Sequence, residues 1–162
     1  MASGFIWSEN LTQIIVTALL SMVPTFEGRY AVVTALAMGM PAVFSFLLAL
    51  IFSTIPMPFI FMLLKPVLKW LYSLPIEPLR KFAAWVENRS VKKSASVKKK
   101  GLLGLFLFVA VPLPGTGVWT GSAIATILNM NKTDSMLAIV VGNVVACLAM
   151  TILGSMGITL FS

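Results

Sequence analysis

Pro24-Thr25-Phe26-Glu27-Gly28-Arg29 sets a carboxylate and a guanidinium two residues apart in a stretch, Leu11 to Leu64, that carries no other charge. A charge at the centre of a bilayer costs at least about 2.5–3.5 kcal/mol on insertion scales, so such residues need a partner and usually a function. Arg29 has the planar fork that makes paired bonds to phosphate oxygens. Glu27 can carry a proton. A structural role is equally concrete: an ion pair with each other, or bonds from Arg29 to carbonyls freed by the turn. A third placement, near the outer interface, would make both charges cheap.

The second cluster is Pro112-Leu113-Pro114-Gly115-Thr116-Gly117, followed by Val118, Trp119, Thr120, Gly121 and Ser122. The two prolines cannot donate backbone hydrogen bonds, and the glycines permit unusual dihedrals. A helix broken here frees backbone groups, which lipid tolerates only beside protein or a watery cavity. The half-helix that follows begins near Gly117, so its N-terminal amides could face an anion. The alternative is a plain kink, with Gly121 and Ser122 as a close-packing surface. Asn143 is a lone amide in the last apolar run, and Ser53-Thr54 fall near it in the repeat described below. Hydrogen bonding between helices is the simpler reading for all three.

Other chemistries lack their residues. There is no His and one Cys, Cys147, in an apolar run. The five carboxylates are scattered, so no metal-site spacing exists and no metal or cofactor is expected. No His–Ser pairing, Walker loop or dinucleotide fingerprint occurs, and an enzyme is not expected.

The elements that position these residues follow from composition. Hydrophobic residues are 59% of the 162 and charged residues only 10%, against about 25% charged in soluble domains. Lipid is the solvent that accepts such a surface. Net charge is +7, but ten of the twelve Lys and Arg lie between Lys65 and Lys100, where Glu77 and Glu87 leave +8. Flanked by apolar runs, this block reads as a cytoplasmic linker on anionic lipid rather than a nucleic-acid site. Within it Leu79, Phe82, Ala83 and Val86 share one helical face. An amphipathic helix in the interface is expected, with Trp70, Tyr72 and Trp85 at the headgroup level. Val91 to Lys100 reads as a mobile loop. Met1 to Asn10 has no positive charge and is not a signal peptide, which places this end outside.

The apolar stretches are Leu11–Val23, Tyr30–Met40, Ala42–Leu64, Gly101–Val111, Val118–Met130 and Ser135–Phe161. Only the third and sixth approach the roughly 20 residues a crossing needs. The others form two pairs, each joined by one of the motif turns. A shift of 88 superposes Val23-Pro24 on Val111-Pro112 and Ala35, Ala37 and Ile51 on Ala123, Ala125 and Ile139. The expected fold is an all-α integral membrane protein of two inverted repeats. Repeat one is 11–64, with re-entrant hairpin 11–40 and span 42–64. The basic linker is 65–100. Repeat two is 101–161, with hairpin 101–130 and span 135–161. Both termini are then external, and the turns meet near the midplane. Four long kinked crossings, with both ends inside, are the alternative.

The order Val23-Pro24…Glu27-Gly28-Arg29, a basic centre, then Pro112-Leu113-Pro114-Gly115-Thr116-Gly117-Val118-Trp119-Thr120-Gly121 resembles the small multi-drug export protein family. That family is in turn similar to the DedA-type membrane proteins. The resemblance covers nearly the whole chain. It implies two inverted re-entrant-plus-span units, with Glu27 and Arg29 as acidic and basic site residues. Several DedA-type proteins move undecaprenyl phosphate, some with a link to the proton gradient. One departure stands out: DedA-type proteins carry arginines in the second half, and no Arg follows Arg89 here.

The leading expectation is a translocase of an anionic lipid such as undecaprenyl phosphate, with proton coupling as an option, in the cell membrane. Its site comprises Glu27, Arg29, Pro24, Gly28, Pro112, Pro114, Gly115, Thr116, Gly117 and Trp119, with Thr120, Ser122 and Asn143 behind them. A proton-coupled exporter of small cationic or apolar compounds is the second reading, and a membrane scaffold acting through the basic loop the third. Anionic membrane lipids are the expected partners. So few spans give limited walls for a pathway, so a homodimer or larger oligomer is expected.

Overall fold

The computed structural model describes residues 11–161 except Thr25 and Pro114, with side chains for all of these but 95–96 and 158–161. The described residues form eight helices and no strand. In chain order they are α1 (Leu11–Met22), α2 (Glu27–Ala37), α3 (Ala42–Thr54), α4 (Pro56–Ser73), α5 (Glu77–Lys93), α6 (Ala95–Ala110), α7 (Val118–Ile127) and α8 (Lys132–Phe161).

Two long elements carry the rest. Ile55 keeps helical dihedrals between α3 and α4, and Pro56 follows at the first helical position, where its missing donor does least harm. Ala42–Ser73 is therefore one apolar rod of 32 residues, about 48 Å long. The apolar run ends at Leu64, but the helix continues to Ser73 and carries Lys65 and Lys69 beyond a hydrocarbon core of about 30 Å. The second rod is α8, apolar over Lys132–Gly157. Asn131 starts it by accepting bonds from the amides of Thr133 (3.0 Å) and Asp134 (3.5 Å).

Only 33% of the most apolar window of either rod is buried inside the molecule. The outward faces are stripes of large apolar side chains at helical spacing: Leu11, Ile15 and Leu19 on α1, Val43, Leu47 and Ile51 on α3, Leu137, Val141, Val145, Leu148 and Ile152 on α8. Polar side chains point inward instead, among them Thr17, Ser21, Ser45, Ser53 and Asn143. This distribution is inverted relative to a water-soluble domain.

The short helices double back. Gln13, near the start of α1, donates to the carbonyl of Met38 just past the end of α2 (2.9 Å), so α1 and α2 lie antiparallel. At the end of α2, Leu36 packs on Gly154, late in α8. At the end of α7, Ile127 lines a cavity with Lys65 and Lys69 of α4, and Asn129 accepts a hydrogen bond from Lys65. The first pair thus ends beside the late part of α8, the second beside the basic part of α4.

The turns leaving α2 and α7 share one hydrogen-bond pattern. Met38 N–H to Thr34, Gly39 to Leu36, Met40 to Ala35 and Ser45 to Pro41 recur as Leu128 to Ile124, Asn129 to Thr126, Met130 to Ala125 and Ser135 to Asn131. Gly39 and Asn129, with positive φ of 85° and 54°, occupy the same place. The offset is 90 residues, not the 88 read from Val23-Pro24 and Val111-Pro112. The breaker turns differ in length by two residues, which apolar sequence alone does not register.

Outside the breaks at 74–76 and Ser94 the basic segment is helical, which corrects the mobile loop expected over Val91–Lys100. Ser94 turns the chain between α5 and α6, and Val97, 2% exposed, packs with Met57, Phe61 and Leu105. Burying that valine fixes the segment, and Lys98–Lys100 project outward. Gly101 (φ 56°, ψ −129°) kinks α6 just beyond them. On α5, Leu79, Ala83 and Val86 pack against Leu68 and Leu71 of α4. Phe82 departs from the expected face: it is exposed and stacks on Trp85 at 6.1 Å, a pairing suited to the headgroup layer.

Candidate functional site

The two breaker turns are in contact, and the charges of the first satisfy the broken backbone of the second. Arg29, 2% exposed, donates through Nη1 to the carbonyls of Val111 (3.0 Å) and Leu113 (3.2 Å) and to Thr116 Oγ1 (2.7 Å). Through Nη2 it donates to the carbonyls of Val109 (2.5 Å) and Thr116 (3.1 Å). α6 ends at Ala110 because Pro112 cannot continue its ladder. The carbonyls it leaves unpaired are a site of partial negative charge. A guanidinium with five donors in a fixed fork is the side chain suited to collect them. Only Nε of Arg29 has no partner among the described residues.

Glu27 answers the opposite pole. It opens α2, is 5% exposed, and its Oε1 accepts the amide of Trp119 in the first turn of α7 (3.0 Å). A carboxylate at a helix N-terminus meets unpaired amides and a favourable dipole. Its backbone is strained at φ 50°, a conformation that costs a non-glycine residue about 1–3 kcal/mol and persists only when its surroundings impose it. Residue 117 must be glycine because the Glu27 carboxylate lies where its Cβ would be. Gly28 brings α2 close to α3: a Cβ there would meet the carbonyl of Ala49 at 2.8 Å and Ser53 Oγ at 2.7 Å.

Trp119 returns the arrangement in the other direction. Its indole Nε1 donates to the carbonyl of Met22 (3.1 Å), the last residue of α1. Trp119 stands 90 residues after Arg29, and each side chain collects the helix-end carbonyl of the other half. This bears on the missing second arginine: at the corresponding position an indole does the carbonyl-binding work without charge.

Glu27 and Arg29 therefore do not form an ion pair with each other. Among the described residues the only ion pair within 4.0 Å is exposed, Lys81 with Glu77 at 3.2 Å. Thr116 lies under Arg29, and its hydroxyl lies 2.9 Å from the carbonyls of both Val111 and Leu113. Pro24 sits exposed in the first turn, and Pro112, half-buried, in the second. Pro114 lies outside the described residues. Thr120 continues α7 half-buried, and Ser122 is buried with its hydroxyl unpartnered. Asn143 belongs to the layer beneath: it donates to Ser53 Oγ (2.8 Å) and Thr54 Oγ1 (3.4 Å) and accepts from Cys147 Sγ (3.6 Å).

Two site residues have no signal in the motifs. Lys93, the last residue of α5, reaches back to the second turn and donates to the carbonyl of Gly115 (2.6 Å). Arg89, one turn earlier, brings its guanidinium to the same glycine. Gly115 holds a φ of 74° that strains any other residue, and a Cβ there would lie 2.6 Å from Lys93 Nζ. Lys93 is also within electrostatic reach of Glu27. In the sequence it is one of ten basic residues in the block, and only the fold of α5 onto α7 singles it out.

A family model, "Putative small multi-drug export protein", matches residues 27–149. No curated protein and no solved structure matches the chain. The chain belongs to the small multi-drug export protein family and is a membrane protein.

Proposed function

We propose that this member of the family exports small cationic or apolar compounds in exchange for protons, with Glu27 alternating between proton and substrate. The observation that carries this reading is the isolation of Glu27. It is the one buried carboxylate among the described residues, since Glu77, Glu87 and Asp134 are exposed or half-exposed. Arg29 is committed to the carbonyls of the second turn, so it does not hold Glu27 in a permanent pair. A carboxylate held by a backbone amide can exchange that partner for a proton or a cation.

The architecture we infer is a pair of inverted repeats, each a re-entrant hairpin and a span. Three observations support it: the shared hydrogen-bond pattern at 90 residues, the antiparallel packing of α1 on α2, and the opposite levels at which α2 and α7 end. With the basic block cytoplasmic in the cell membrane, the two turns meet between the leaflets, where Glu27 can be offered to either side.

The test is transport of ethidium in proteoliposomes under a proton gradient. Glu27→Gln should remove proton-driven transport, while Glu27→Asp retains part of it. Gradient-driven transport by Glu27→Gln at the wild-type rate would sink the proposal. A second reading, translocation of an anionic lipid phosphate, is favoured by one observation. A cavity of about 320 Å³ at the end of α7 is lined by Lys65, Lys69 and Tyr72, with Glu87, which accepts from Tyr72, as the one carboxylate. It predicts polyprenyl phosphate bound in native mass spectrometry and lost on Lys65→Gln with Lys69→Gln.

A further inference from the structure

The second breaker turn already holds an ammonium group. Lys93 Nζ donates to the carbonyl of Gly115 at 2.6 Å, across 22 residues of sequence. The positive φ of Gly115 belongs to the turn that presents this oxygen, and the absence of a Cβ lets the ammonium approach. The Glu27 carboxylate lies two residues along, on Gly117, and the charges of Lys93 and Glu27 act on each other. Lys93 Nζ is not within 4.0 Å of the Glu27 carboxylate, but a carbonyl oxygen and a carboxylate two residues apart along one turn offer an organic ammonium an acceptor and a nearby opposite charge. Arg89, beside Lys93, adds like-charge repulsion that weakens the hold.

Lys93 ends α5 on a flexible four-carbon stem. Ser94 turns the chain after it, and Gly101 interrupts α6 seven residues after Ser94 in a conformation foreign to a helix. A Cβ at Gly101 would meet nothing within 4 Å, so only the backbone conformation, and no clash, selects glycine there.

We infer that the Gly115 carbonyl and the Glu27 carboxylate form a subsite for a substrate ammonium group, and that Lys93 occupies it as a tethered competitor on the cytoplasmic side. The assignment rests on the export reading for its biological meaning, but not for its test. Cytoplasmic substrate displaces the Lys93 ammonium, its side chain swings aside while Val97 stays packed, and Glu27 becomes reachable. With the site empty, Lys93 closes again and limits proton leak.

The test uses the full chain in nanodiscs. A hydrophobic carbodiimide modifies Glu27, mass spectrometry reads the extent, and methylammonium chloride is the competing probe. Lys93→Met and Lys93→Gln should each raise modification of Glu27 severalfold. Each should also let methylammonium protect Glu27 at a concentration roughly tenfold lower, the factor expected when one charge-assisted competitor is removed. Lys93→Arg should behave as wild type. Modification and protection unchanged in both neutral variants would overturn the subsite and the latch. Ethidium transport on the same preparations separates the two ideas: loss of the latch signature with normal transport sinks only the inference. The signature without any transport retains the subsite and sinks the export reading.

Discussion

Arg29 is the residue on which the contact between the two turns depends. Its terminal nitrogens serve four carbonyls and a hydroxyl. Each buried acceptor left unpaired costs about 1–3 kcal/mol. Arg29→Ala should therefore unfold the pair of turns rather than merely abolish ligand binding, with loss of monodisperse protein in detergent. Arg29→Lys has three donors for five acceptors and should fold with a heat-unfolding midpoint well below wild type. A well-folded, inactive Arg29→Ala protein would show instead that the guanidinium serves a ligand. Lys93 gives the opposite expectation. Partial burial, then the Arg89 charge, pull its pKa below the usual 10.5, with Glu27 opposing. A base whose folded pKa is lowered binds fewer protons folded than unfolded, so stability rises with pH from the folded value up to about 10.5. Wherever the pH lies below the folded value, the penalty of the charged form is fully present. Lys93→Met should leave the midpoint at pH 7 unchanged or raise it, and should remove part of the gain seen on going to pH 10. A lower midpoint at pH 7 would make Lys93 a structural clamp.

At the scale of elements, the long apolar runs are legible in the sequence because length and hydropathy are local properties. So is the need for a partner at Glu27 and Arg29, since a charge in an apolar run must be compensated. Which partner is not local. Arg29 finds carbonyls 80 to 87 residues away, and backbone groups leave no mark in the residue types. The basic block misleads for a related reason: five lysines in ten residues read as a solvated loop, while one buried side chain, Val97, holds that segment down as helix. Gly101, just beyond Lys100, kinks the helix. Its dihedrals, φ 56° and ψ −129°, lie in a sparsely populated region that costs alanine about 1–3 kcal/mol. Gly101→Ala should therefore straighten α6 and displace Lys93, raising carbodiimide modification of Glu27 while the two rods stay folded. Modification at the wild-type level would show that the position of Lys93 does not depend on this kink.

For the molecule as a whole, sidedness follows from how the short helices end. α6 leaves the basic segment after Lys100, reaches the breaker turn against Glu27, and α7 comes back to Lys65 and Lys69 at Ile127. If both ends of this pair lie on the basic side, it enters and leaves by the cytoplasmic face, and α8 begins there at Lys132. α8 then crosses once, over 26 helical residues from Lys132 to Gly157, or about 39 Å at helical rise. A hydrocarbon core of about 30 Å is exceeded with allowance for tilt. A reporter fused after Ser162 should therefore be active only outside the cell, and one inserted after Ser94 only inside. Four kinked crossings predict the reporter after Ser162 inside, and they would make Ile127 and Lys65 lie on opposite faces of the membrane. Their shared cavity supports the proposed hairpin instead, and an inside signal would mean that α7 does not pack on α4 in the bilayer. Glu27 would then lose the amide of Trp119 that makes it the candidate proton carrier.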